Sequence, residues 1–96
     1  MVSSALLQKN REKIINIAKS HGAKTVRVFG SCARGQEHPD SDIDLIVDLG
    51  PDRSLLDIIA IKQEIEDLLQ RKVDVVTEAA LSPYIREEIL QEAVSL

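Results

Sequence analysis

The chain has 96 residues, 44% hydrophobic and 29% charged, with a formal net charge of −4 at pH 7. That length supports one modest core and little more, so a single domain spanning residues 1–96 is expected. The acidic balance argues against a long nucleic acid as partner, because neutralising its phosphates needs a basic face; a nucleotide stays compatible where cations screen its charge.

Leu7, Ile14, Ile17 and Ala18 fall near one face of a helix predicted from Ser4 to Ser20, capped by Ser3 or Ser4 and stopped at Gly22. Lys24 to Phe29 alternates as a strand does, with Val26 and Val28 on one side. From Gly30 to Ser41 the pattern breaks into a loop. It resumes at Asp42, where Ile43, Leu45, Val47 and Leu49 share one face and Asp42, Asp44, Ile46 and Asp48 the other. Gly50-Pro51-Asp52 reads as a turn, and Ser54 with Asp57 as a capping pair opening a helix to about Gln70. Its stripe is Leu55, Ile58, Ile61, Ile65, Leu68 and Leu69. A short strand follows over Lys72 to Thr77. Ser82-Pro83 then starts a last helix to about Val94, with Ile85, Ile89 and Ala93 on one face. The order α-β-β-α-β-α predicts a small α/β or α+β domain, its three strands covered by helices.

Three carboxylates stand where folding alone does not ask for them. Asp42 and Asp44 lie two apart on a strand, hence on one face about 6.5 to 7 Å apart, where they repel each other. A divalent cation relieves that repulsion, two such ions can activate an attacking oxygen and stabilise a leaving one on phosphorus, and oxygen-only ligation favours Mg²⁺ or Mn²⁺ over Zn²⁺. An isolated Asp-x-Asp more often decorates a solvent-facing strand. Here, however, Val28-Phe29-Gly30-Ser31 precedes it, a strand running into a turn. Glycine there admits close approach of a phosphate, and Ser31 offers a hydroxyl and a backbone N–H. A phosphate grip and a metal grip at neighbouring strand ends are more specific together than apart. Asp74 interrupts an apolar strand and calls for a partner, an exposed edge or a metal; Arg71 or Lys72 is an equal alternative source of compensation.

The run FGSCARGQEHPDSDIDLIVDL resembles the signature of the DNA polymerase β-like nucleotidyltransferase superfamily: a Gly-Ser, a spacer, then Asp-x-Asp. Ala33-Arg34-Gly35, Ser41 to Leu45 and the ending LSPYIREEILQEAV are similar to its minimal nucleotidyltransferase (MNT) branch. The resemblance implies the polymerase β-like core fold. It also implies phosphate contact by Ser31, Mg²⁺ ligation by Asp42 and Asp44, and a third carboxylate at Asp74 that completes the metal site or accepts the nucleophile's proton. MNT proteins are typically paired with a HEPN-domain RNase toxin. The resemblance therefore implies an antitoxin that transfers AMP from ATP to a hydroxyl of its toxin, a tyrosine being the expected acceptor.

Other residues carry two readings each. Arg34 either reaches the triphosphate or orders its loop against Glu37 or Asp40. His38 is read as exposed or structural, His21 as the end of the first helix, Tyr84 as packing or partner contact, and Asp48 as solvated. The Glu64-Glu66-Asp67 cluster is read as a solvated helix face. Cys32 has no second cysteine to pair with. No apolar run reaches membrane-spanning length and no signal-peptide pattern opens the chain, so a cytoplasmic location is expected. Two alternatives to the toxin-modifying reading remain. The chain is either a non-catalytic antitoxin that masks its toxin by binding, or a nucleotidyltransferase subunit acting on a small hydroxyl compound such as an aminoglycoside.

Overall fold

A computed structural model describes residues 5–30, 33 and 42–96. The described elements are α1 (Ala5–Lys9), α2 (Arg11–Ser20), β1 (Ala23–Phe29), β2 (Ile43–Leu49), α3 (Leu55–Leu69), β3 (Val73–Val76), a 3₁₀ turn (Glu78–Ala80), α4 (Pro83–Glu92) and β4 (Val94–Ser95). The four strands form one sheet in the order β3-β2-β1-β4. β1 runs antiparallel to β2 and β4, whereas β2 and β3 run parallel. α3 is the crossover that a parallel pair requires.

Strand alternation builds the core on one side of this sheet. Val28, Ile43, Leu45, Val47, Val73 and Val75 are buried there with Leu7, Ile14 and Ala18 of the first helices and Ile61, Ile65 and Leu69 of α3. The side chains that alternate with them, among them Asp44, Ile46, Asp48 and Asp74, face the other way. Ile46 is nonetheless fully buried. The 3₁₀ turn partly closes this second face, where Glu78 forms an ion pair with Arg27 of β1.

Local chemistry sets the helix ends. Ser54 and Asp57 make a complete capping box: the Leu56 N–H donates to Ser54 Oγ at 3.3 Å and the Ser54 N–H to Asp57 Oδ2 at 3.0 Å. Ser82 caps α4, its Oγ accepting from the Tyr84 N–H at 3.4 Å, with Pro83 at the first helical position. α3 ends on Gln70, a non-glycine residue at φ +55°.

Four expectations need correction. The first helix is broken at Asn10, which caps α2; both its N–H and its Nδ2 donate to the Leu6 carbonyl, at 3.2 and 2.9 Å. A side chain that competes for a backbone acceptor in this way interrupts a helix. Among the described residues the sheet has four strands rather than three. β4 pairs Val94 with Val28 and Ser95 with Arg27, and the Leu96 N–H donates to the Val26 carbonyl at 3.0 Å. Two residues are too few to show alternation, and the expected last helix reaches about Val94 where the observed one ends at Glu92. Leu55 leaves the apolar stripe of α3 and is 69% exposed. Glu66 is no solvated ornament: its Oε2 accepts from the Val73 N–H at 3.0 Å, joining α3 to the start of β3.

Two substitutions test this account of the core and of the end of α3 by urea denaturation. Ile65→Ala, at a fully buried position, is expected to cost about 2–5 kcal/mol. Gln70→Gly is expected to stabilise by roughly 0.5 kcal/mol, because the left-handed conformation carries no Cβ penalty in glycine.

Candidate active site

The non-core face of the sheet is ordered in rows by strand register. Phe29 of β1 pairs with Asp44 of β2, and Asp44 pairs with Asp74 of β3. One step down, Arg27 pairs with Ile46, and Ile46 with Val76. In a parallel pair, residues in register project to the same side, so Asp44 and Asp74 are cross-strand neighbours. Asp74 is exposed, flanked by Val73 and Val75 at 1% and 7% exposure on the core side. That contrast places its carboxylate on the open face, as the sequence pattern requires. Asp42 stands one residue before β2, exposed, and in phase with Asp44.

Gly30 closes the row. It has φ +72°, and a Cβ built on it would lie 2.5 Å from Asp44 Oδ2. No substituent fits there without displacing the carboxylate. The sequence assigned this glycine to phosphate approach. The structure adds a second reason: its bare backbone makes room for the half-buried Asp44 carboxylate. Nothing in the sequence marks that contact, because it arises from the β1–β2 register.

Of the other sequence-selected residues, Ser31 and Arg34 lie outside the described residues, as do Cys32 and His38. Asp48 is exposed, as expected. His21 does end the first helical segment, and its ring faces two carboxylates of α3, Glu64 through Nε2 and Asp57 at 3.8 Å from Nδ1. Glu64 thereby links α3 to α2 rather than merely facing solvent. Tyr84 is 94% exposed, which removes the reading of it as packing within the chain. Sequence reasoning missed Arg27 and Arg86. Arg27 holds Glu78 across the row below the carboxylates. Arg86 donates from Nη2 to the Leu81 carbonyl at 3.0 Å.

The donor set is all carboxylate oxygen, which suits a hard cation such as Mg²⁺ or Mn²⁺ and offers nothing to a thiophilic one. Asp44 and Asp74 are neighbours through register and Asp42 follows by strand phase. Among the described residues, no three His, Cys, Asp or Glu side chains are already gathered closely enough to enclose a metal ion. The carboxylates are therefore aligned on one face without being closed into a cage.

Comparison with known proteins identifies the family. Residues 11–96 match the model of the nucleotidyltransferase domain family. A Methanocaldococcus jannaschii protein, named provisionally as a protein adenylyltransferase, is 42% identical over 86 residues, covering 90% of this chain and 92% of its own. A solved structure provisionally named a minimal nucleotidyltransferase superposes with a TM-score of 0.87 at 44% identity, covering 98% of both chains. More distantly, a chain of the complex between a tri-AMPylated Shewanella oneidensis HEPN toxin and an MNT antitoxin shares the fold. It has a TM-score of 0.69 and 20% identity, covering 92% of this chain and 69% of that one. The chain belongs to the nucleotidyltransferase domain family, and it is a nucleotidyltransferase of the minimal type.

Gly30→Ala is expected to lose about 1–2 kcal/mol of stability in urea melts through its left-handed backbone alone. Nucleotidyl transfer by the folded variant is expected to fall further than that loss explains, because the new methyl group displaces Asp44.

Proposed function

We propose that the protein, as one minimal domain over residues 1–96, is a Mg²⁺-dependent adenylyltransferase that serves as an antitoxin. Its donor is ATP and its acceptor a hydroxyl, that of a tyrosine, on a partner HEPN RNase toxin. The observation that carries the chemistry is the row Gly30–Asp44–Asp74, which sets two carboxylates side by side at the end of the strand that leads into Gly30-Ser31. The acceptor is supported by what similar proteins are named for, protein adenylyl transfer in one and an AMPylated HEPN toxin bound to an MNT antitoxin in another.

Asp42, Asp44 and Asp74 would hold Mg²⁺, with Mn²⁺ an acceptable substitute, and the ion supplies charge neutralisation at the α-phosphate and acidifies the attacking hydroxyl. The chain's own residues do the remainder. Gly30 and Ser31 cradle the β- and γ-phosphates with backbone N–H groups and a hydroxyl, and Arg34 adds a guanidinium to the same oxygens. The acceptor oxygen forms its bond to the α-phosphorus as the bond to the bridging oxygen breaks, and pyrophosphate leaves in line. Asp74, at the exposed edge strand, takes the acceptor's proton. No covalent enzyme intermediate is needed; positioning and electrostatics carry the rate. The location proposed is the cytoplasm, where ATP is abundant; no described helix is long and apolar enough to cross a membrane.

One feature favours a contribution from binding alone. Leu55, Leu56 and Ile59 are 69%, 75% and 42% exposed along one side of α3, an apolar surface of the kind that docks a partner. Purified protein, toxin, Mg²⁺ and labelled ATP separate the two. Asp42→Asn and Asp44→Asn are expected to lower labelling of the toxin by on the order of a hundredfold or more while leaving its binding intact. EDTA is expected to abolish labelling. Full protection of cells by the Asn variants would show that masking is sufficient and that transfer is not how the toxin is neutralised.

A further inference from the structure

Arg27 is a cation set beside an acidic row, and it is engaged elsewhere. β1 places it on the face that carries Asp44 and Asp74, where it pairs in register with Ile46. Asp44 and Asp48 lie two residues to either side of Ile46 on β2, so both are diagonal neighbours of Arg27. Such neighbours stand about 7–8 Å apart, within reach of a long side chain. Asp74 lies in register beside Asp44. Two adjacent carboxylates attract a guanidinium more strongly than the exposed Asp48 alone, because it also relieves the repulsion between them. The ion pair observed is nevertheless with Glu78, in the 3₁₀ turn that follows β3.

Register puts Glu78 where it can compete for that guanidinium. Ile46 pairs with Val76, and Glu78 follows Val76 by two residues, so the ion pair reaches from β1 past β2 to the turn beyond β3. Ile46 lies between its two ends and is fully buried although it points away from the core. The side chains of Arg27 and Glu78 are themselves 25% and 52% exposed. An ion pair as open as this contributes little to the stability of a fold. Its larger effect is on where the guanidinium goes. An arginine seated between Asp44 and Asp74 would take the place of a divalent cation and engage the oxygens that the ion needs.

We infer that Glu78 is a positioning residue that holds Arg27 off the carboxylate row and so keeps the cation seat open. The inference rests on the reading of Asp42, Asp44 and Asp74 as that seat. It concerns loading of the ion rather than the transfer step, and Glu78 acts on the ion only through Arg27.

The test is Mn²⁺ binding to the full chain without nucleotide, read from the free-ion signal in electron paramagnetic resonance, with thermal melts of each variant alongside. Glu78→Gln is expected to weaken Mn²⁺ by about fivefold, the upper end of what an exposed ion pair supplies to the competing arginine. Arg27→Gln is expected to bind Mn²⁺ no more weakly than the unaltered protein. The double variant Arg27→Gln/Glu78→Gln is expected to return to within about twofold of the unaltered affinity, because the competitor is gone. A merely structural role for Glu78 would not give that recovery, since a second substitution adds to damage. The inference is overturned if Glu78→Gln binds Mn²⁺ as the unaltered protein does, which would mean that Arg27 stays where it is or turns to Asp48. It is also overturned if the double variant stays as weak as Glu78→Gln, or if Arg27→Gln alone weakens binding. An unaltered protein that binds no Mn²⁺ contradicts the cation seat itself, whereas one that binds Mn²⁺ without regard to Glu78 contradicts only the role given to that residue.

Discussion

Asp44 and Asp74 are neighbours because β2 and β3 run parallel with Asp44 and Asp74 in register, and the rest of the structure is arranged to keep them so. Two carboxylates facing each other across adjacent strands repel and weaken the sheet they belong to. The opposite side of the same strands carries the compensation. Ile43, Leu45, Val73 and Val75 pack there against Ile61, Ile65 and Leu69 of α3. Backbone and side-chain bonds fix the entry to the pair: the Ile43 N–H donates to the Lys72 carbonyl at 3.0 Å and the Val73 N–H to Glu66 at 3.0 Å. A slip of one residue in either strand would exchange the acidic face for the apolar one, so burial of the core enforces the register of the site.

Gly30 extends the same constraint to β1. Its left-handed backbone turns the chain beside Asp44, and the missing Cβ leaves the space that the carboxylate occupies. One glycine thus serves the turn and the placement of an acidic side chain.

The legible part of this molecule was the part written in short-range pattern. Alternation placed Asp74 on the open face between buried Val73 and Val75, and the Ser54–Asp57 and Ser82–Pro83 pairs marked two helix starts. Asn10 was less legible, since its interruption depends on a side chain choosing the Leu6 carbonyl over solvent. β4 could not be read at all, because two residues have no period and their pairing with β1 is set by where α4 ends. The site divided in the same way. Asp42, Asp44 and Gly30 were visible as a motif and Asp74 through family resemblance. Arg27, Glu78 and Arg86 come together only through tertiary placement, and no spacing in the chain announces it.

The central claim is that Asp42 and Asp44, with Asp74 beside them, form the seat of a divalent cation that meets a nucleotide's phosphates. Anomalous scattering from Mn²⁺, in crystals grown with a non-hydrolysable ATP analogue, tests it most directly. The account predicts a peak between the Asp42 and Asp44 carboxylates, bonded to a phosphate oxygen of the analogue. A nucleotide bound with its Mn²⁺ peak away from both carboxylates would contradict it.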